Sequence, residues 1–263
     1  MRIEKKHKST LLLFTLFASF YLNSCVSNES LIYLKGNTND KIDKYEEPSY
    51  ILRPKDILSI RLNSLESNTA TYFNEEQTNG GGGGLVNNTM LYLSGYIVDK
   101  KGNIKLPLVG EVAVAGKTLD DVKEDIDTKL EDYLKFASVS VKLVNFRVTL
   151  LGEVKMPGQY YVYEEKVTLL QAVSLAGGLT QFANNKKVKL IREGFNENEA
   201  VYLDLSNDSI IQSDKFFLMP NDIIYIEPTK AKALSINLGT AGLLVSVVSV
   251  VALITNVILS NSN

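Results

Sequence analysis

From residue 50 onward the apolar positions follow two rhythms, alternation and a three-to-four-residue recurrence, and these predict the elements. Pro54 and Asp56 suit a turn, and Ile57, Leu58 and Ile60 a strand leaving it. Met219-Pro220-Asn221-Asp222-Ile223-Ile224-Tyr225-Ile226 repeats the order, so the pattern Pro-x-Asp-Ile-(Leu/Ile)-x-Ile predicts two like turns, each feeding a buried sheet edge. Lys55 points to a type I turn in the first copy, whereas Asn221 tolerates a left-handed backbone in the second. Residues 95–98, a turn at 99–103, and Ile104, Leu106 and Leu108 alternating with Lys105 and Pro107 predict a hairpin. A helix follows, with Thr118 as N-cap, Asp121 at N3, and Leu119, Val122, Ile126, Leu130 and Tyr133 on one face. Val139, Val141 and Leu143 then alternate as a strand.

The next block repeats this plan. Phe146, Val148 and Leu150 alternate, 152–158 is turn-rich, and Tyr161 and Tyr163 alternate again. Thr168 and Gln171 have capping-box spacing, Gly177-Gly178 supplies a left-handed stop, and strands are expected at 188–192, 200–205 and 223–226. The fold class is therefore α+β: short helices packed on mixed sheets in two layers, the second block in the order of a β-grasp domain.

The two ends differ from this middle. Arg2, Lys5, Lys6 and Lys8 precede an uncharged apolar run at 11–22, the layout of a secretory signal over 1–24. Leu22-Asn23-Ser24-Cys25 resembles the lipobox of bacterial lipoproteins, which makes Cys25 the lipidation site and residues 25–48, polar and without period, a tether. Within 64–90 lies a run of five glycines, Gly80 to Gly84, expected as a mobile loop; no Lys-Ser/Thr pair follows to make it a phosphate cradle. At the other end no charged residue follows Lys232. Residues 233–259 could form a helix about 40 Å long, enough to cross a bilayer. In it Ser235, Gly239, Gly242, Ser246, Ser249 and Asn256 share one stripe, which suits close packing of helices or the lining of a pore. With the body in the periplasm, an inner-membrane helix would put Lys230 and Lys232 outside, against the positive-inside tendency, so the outer membrane is favoured.

Chemistry narrows the function further. Cys25 is the only cysteine, so no internal disulfide can form, and His7, the only histidine, lies in the signal. The processed chain lacks His, free thiol and Trp, which excludes Ser-His-Asp and Cys-His catalysis and His- or Cys-based metal sites. No cofactor is expected. Processing removes four basic residues and one acidic one, taking the formal net charge from −2 to about −5, which argues against nucleic acid.

Several motifs together resemble the Wza-type polysaccharide export lipoproteins. Arg53-Pro54-Lys55-Asp56-Ile57-Leu58-Ser59-Ile60, the stretch 98–110 and Gly116-Lys117-Thr118-Leu119 are similar to the export domain. Gly152-Glu153-Val154, Pro157-Gly158, Thr168-Leu169-Leu170, Ala176-Gly177-Gly178-Leu179-Thr180 and Pro220-Asn221-Asp222 are similar to the SLBB domain, a β-grasp module. The resemblance implies an export domain over 49–144, one SLBB domain over 145–228, and a homo-oligomeric, non-catalytic outer-membrane channel for capsular or exopolysaccharide. It also implies an inner-membrane copolymerase, often a tyrosine autokinase, as partner. This chain has Lys55 and Asn221 where the family has glycine, and one SLBB copy where the longest members have two.

Two other classes compete. One is a membrane-anchored periplasmic SLBB module that binds a glycan or other ligand and forms no pore. The other is a carboxylate hydrolase, with Glu111, Asp120, Glu153 and Asp222 as candidate acids, each also explained as a helix-surface or turn residue. Glu153 is expected to be a solvated strand residue, and Tyr160, Tyr161 and Tyr163 to pack on a sheet rather than to serve as sugar platforms.

Overall fold

A computed structural model describes residues 32–36, 48–64, 94–134, 137–194 and 197–235, together with 246, 247, 250, 251 and 254. Cys25, the glycine run and most of 236–263 lie outside these residues.

The first domain is built on β1 (Ile57–Ser64), which pairs antiparallel with β2 (Tyr96–Ile97) on one side and β5 (Ala137–Leu143) on the other. The hairpin is β3 (Asn103–Leu106) with β4 (Gly110–Ala113), and not β2 with β3 as the alternation suggested. Pro107 has no N–H to continue a ladder, so the chain reverses there. Leu108 takes φ 63° and stands 53% exposed at the hairpin tip instead of extending the strand. Helix α1 (Leu119–Glu131) starts at the expected capping box, with Thr118 Oγ1 accepting from the Asp121 N–H and the Asp121 carboxylate accepting from the Thr118 N–H. Val122, Ile126 and Leu130 bury against the sheet, in one core with Leu58, Ile60, Leu62 and Val139. Tyr133 falls beyond the helix end and is exposed; Leu134 takes the buried place expected for it.

The second domain carries a five-stranded mixed sheet in the order β10 (Glu199–Leu203), β9 (Ala183–Arg192), β12 (Ile223–Pro228), β6 (Arg147–Gly152), β7 (Gly158–Tyr161). Its central strand β12 runs parallel to β6 and antiparallel to β9. Helix α2 (Leu169–Leu175) has the expected capping box at Thr168 and Gln171. It ends in a Schellman closure, with the Gly178 N–H donating to Val173 C=O and both glycines at positive φ. Leu169, Ala172 and Val173 of α2 share one core with Val148, Leu150, Leu190 and Ile224. A small sheet of β8 (Val167–Thr168) and β11 (Phe217–Leu218) closes the domain beside a 3-10 helix at Asp208–Gln212.

Residues 230–235 are helical, as are 246, 247, 250, 251 and 254. Among the described residues no helix is long and apolar enough to cross a membrane. The spanning helix expected over 233–259 falls mainly on residues outside the description.

Candidate membrane-attachment site

Strand β12 ends at Pro228, and the chain leaves the second domain through a set of contacts that begins with Gly152. That glycine has φ 85°, and a Cβ on it would run into the Ile226 carbonyl, so only glycine lets β6 turn here. The turn places Glu153 inward. Its N–H donates to Ile226 C=O, and its carboxylate accepts from Thr180 Oγ1 at 2.6 Å and pairs with Lys232 Nζ. Glu153 is 6% exposed, which corrects the solvated placement. Burial pushes its carboxyl up, but the hydrogen bonds from Lys232 and Thr180 outweigh burial and hold it below the ordinary Glu value. The Thr229 N–H donates to Phe182 C=O, and the Lys232 N–H to Thr229 C=O, so the first helical turn of the exit is fastened to the domain.

The N-terminal segment reaches the same place. Residues 32–36 lie beside 205–208: the Leu34 N–H donates to Leu205 C=O, the Lys35 N–H to Ser206 C=O, and Lys35 forms a parallel bridge with Asn207. Leu34 packs on the domain core. Asn185, 1% exposed, donates from Nδ2 to Ile32 C=O at 2.8 Å while its own carbonyl accepts the Leu205 N–H. Tyr33 has its hydroxyl pKa raised, burial outweighing a hydrogen bond with the Leu179 backbone. One short stretch, 179–185, thus holds the segments on both sides of the domain: Leu179 and Asn185 the incoming one, Phe182 directly and Thr180 through Glu153 the outgoing one.

The two Pro-x-Asp turns lie at corresponding places in the two domains. In each, the Asp N–H donates to the carbonyl three residues back and the Asp carboxylate accepts the N–H of that same residue: Arg53 for Asp56, Met219 for Asp222. Lys55 has φ 78° and Asn221 φ 68°, so both are type II turns, and the type I expectation for Lys55 is corrected. Its N–H bonds to Val98 C=O, as the Asn221 N–H does to Arg147 C=O, and these bonds outweigh a left-handed cost of about 1 kcal/mol. Asn145 joins the domains, accepting the Ile57 N–H and donating to Lys55 C=O.

Of the predicted stripe, Ser235 is exposed and donates to Lys232 C=O, and Ser246 is exposed on the helical segment. Cys25, Gly239, Gly242, Ser249 and Asn256 lie outside the described residues. Beside Ser246, Val247, Val250, Val251 and Ile254 are 53–60% exposed. The four acids proposed for hydrolysis do not converge as a pair. Glu111 and Asp120 are exposed in the first domain, while Glu153 and Asp222 are buried in the second, each with a basic partner. No metal-binding cluster occurs among the described residues. Tyr160 packs on the core, but Tyr163 stands 76% exposed. Sequence reasoning missed Thr180, Asn185, Lys232 and Arg192; a buried Asp in the second Pro-x-Asp turn was the one signal that a cation should be near.

Residues 44–144 match the polysaccharide biosynthesis/export protein family, and residues 146–226 match the SLBB domain. The chain thus carries a polysaccharide export domain followed by an SLBB domain, which supports a polysaccharide export protein. Parts of the chain are similar to parts of known relatives. The EPS I polysaccharide export outer membrane protein EpsA of Ralstonia nicotianae is 36% identical over 39% of this chain and 28% of its own. EpsA of Ralstonia solanacearum is 28% identical over 51% and 36%, and the exopolysaccharide production protein ExoF of Rhizobium meliloti 38% identical over 35% and 23%. The matches span between 23% and 36% of the relatives' own lengths.

Proposed function

We propose that this protein is an outer-membrane lipoprotein subunit of an oligomeric channel that exports capsular or exopolysaccharide, without catalysis of its own. The observation that carries the reading is the shared bracket at 179–185, which holds residues 32–36 on the way in and 229–232 on the way out. Ile32 is seven residues from Cys25, a reach of about 25 Å at most. A lipid on Cys25 would therefore keep the SLBB domain close to the membrane, and the apolar tail would enter from that same side. The export domain then projects into the periplasm.

The exposed valines and isoleucine around Ser246 suit lipid on one side, with the small stripe turned to neighbouring copies or a lumen. Outer-membrane residence is supported by the two EpsA relatives, which are named outer membrane proteins. The mixed strand order of the second domain supports the β-grasp reading. An inner-membrane copolymerase would feed polymer from below. The test is blue-native electrophoresis of detergent-extracted protein combined with Ser246→Phe and Ser249→Phe. A large assembly whose variants still assemble but cease to export supports a channel. A strict monomer, or undiminished export by both variants, contradicts it.

A further inference from the structure

Strand direction sorts the charges of the SLBB domain. β6 and β12 run side by side toward the chain's exit, and β9 runs away from it, with Ala183 opposite Pro228. The loop after β6, the start of β9 and the turn after β12 therefore share one end of the domain with residues 32–36. This exit end carries Lys155, Lys186, Lys187 and Lys230, all exposed, and none of them pairs with an acid among the described residues. The acids at the same end are engaged or half-buried. Glu153 pairs with Lys232, Asp204 accepts the Ser206 N–H and hydroxyl, Glu227 accepts the Tyr202 hydroxyl, and Asp208 lies against Gly36. The opposite end has the reverse balance. Arg192 and Lys215 are taken there by Asp222, Glu199 and Asp214, Arg147 bonds Asn221, and the turns after β7 and β9 expose Glu164, Glu165, Glu193 and Glu197. In a chain of formal net charge −2, the SLBB domain thus turns its unpaired positive charge toward the end that holds the incoming and outgoing segments.

Two large apolar side chains stand at that same end. Met156 is 55% exposed and Leu175 is 44% exposed. Both are fixed in place: the Lys155 N–H donates to Gly178 C=O and the Met156 N–H to Ala176 C=O, which ties the loop to the end of α2. Gly177, at φ 73°, leaves room for this contact, since a Cβ there would lie 3.3 Å from Met156 Cε. Apolar tips among ammonium groups match the surface of a bilayer, because lysine stems lie along apolar matter while their heads reach phosphate. The attraction of anionic headgroups falls off within a Debye length of about 10 Å in 0.1 M salt, so it acts only on lysines that the fold carries to the surface. A sugar polymer fits this end less well: its hydroxyls call for mixed donors and acceptors beside an aromatic platform, whereas these side chains are ammonium donors and aliphatic tips.

We propose that the exit end of the SLBB domain, with Lys155, Lys186, Lys187 and Lys230 around Met156 and Leu175, docks on the phosphate headgroups of anionic phospholipid. The proposal rests on the reading that both segments lead to one membrane, and it adds a direct contact between the folded domain and lipid.

The test uses full-length acylated protein with a fluorophore at Gln181→Cys, an exposed position in the same bracket, reconstituted in vesicles that contain quencher-bearing lipids. Quenching should be at least twofold stronger with phosphatidylglycerol present than in phosphatidylcholine alone. Lys155→Glu, Lys186→Glu, Lys187→Glu and Lys230→Glu combined should abolish that difference without changing the circular dichroism spectrum; the lipid comparison with the lysines intact stands even if this variant misfolds. Strong quenching that is equal in the two lipids overturns headgroup docking and leaves the membrane-proximal placement standing. A difference that survives the four substitutions in a folded protein overturns it too, as does one that inorganic phosphate removes at constant ionic strength, which would mark a site for the free ion. Absence of quenching in both kinds of vesicle overturns the docking and the placement together.

Discussion

The two Pro-x-Asp turns share a backbone and differ in what neutralises the carboxylate. Asp56, 4% exposed, takes the Arg53 N–H at 2.8 Å and the Tyr50 hydroxyl at 3.0 Å. Asp222, 0% exposed, takes the Met219 N–H and a bidentate guanidinium, with Arg192 Nη2 at 2.7 Å and Nε at 3.0 Å. Burial raises both carboxyl pKa values despite these bonds, and the Tyr50 hydroxyl is raised too, first by its own burial and then by Asp56 beside it. The turn geometry therefore needs an Asp, while the surrounding domain chooses how to compensate it. Neutral donors with the Arg53 charge nearby serve in one case, and a buried ion pair in the other.

Removing the cation should separate the turns most. Arg192→Met leaves Asp222 buried without its partner, and we expect a loss of about 3–5 kcal/mol, read by urea unfolding of the detergent-solubilised chain. If the loss is under 1 kcal/mol, the ion pair is not what holds the second turn. Tyr50→Phe removes one hydrogen bond from Asp56 and should cost less, about 1.5–3 kcal/mol, by the same titration. An equal or larger loss than for Arg192→Met would show the first turn to be the more demanding.

A smaller effect, and one of opposite sign, distinguishes both aspartates from Glu153. A carboxyl whose folded pKa is raised stabilises the fold progressively as pH falls from above that raised value toward the ordinary Asp value, because the folded state takes up the proton first. Glu153 is lowered, so its stabilisation is present above the ordinary Glu value and is lost as pH falls toward its folded value. Thermal midpoint against pH should rise on mild acidification and then fall. Asp56→Asn should flatten the rise and Glu153→Gln the fall; a Glu153→Gln curve that still falls as steeply would remove Glu153 from the acid limb.

Much of this was legible from local pattern. Thr118 with Asp121 and Thr168 with Gln171 cap the predicted helices, and Gly177-Gly178 ends the second. The alternation of Val139, Val141 and Leu143 sits in β5. What was not legible depends on partners distant in sequence. Pairing of β3 with β4 rather than β2 follows from Pro107 and from β2 being taken by β1. The left-handed Lys55 answers to a carbonyl on Val98, and the burial of Glu153 answers to Lys232, far along the chain. The bracket at 179–185 has no local signature, since it is made of backbone groups, the Thr180 hydroxyl and one Asn that meet only once the sheet has formed.

On the proposed reading that bracket would make the SLBB domain the membrane-proximal one, and a depth measurement tests this most directly. Full-length protein carrying a fluorophore at Lys186→Cys, next to Asn185, or at Lys101→Cys, in the export domain, would be reconstituted in vesicles with quencher-bearing lipids. The account predicts strong quenching at 186 and little at 101. Equal quenching at the two positions, or stronger quenching at 101, would contradict it.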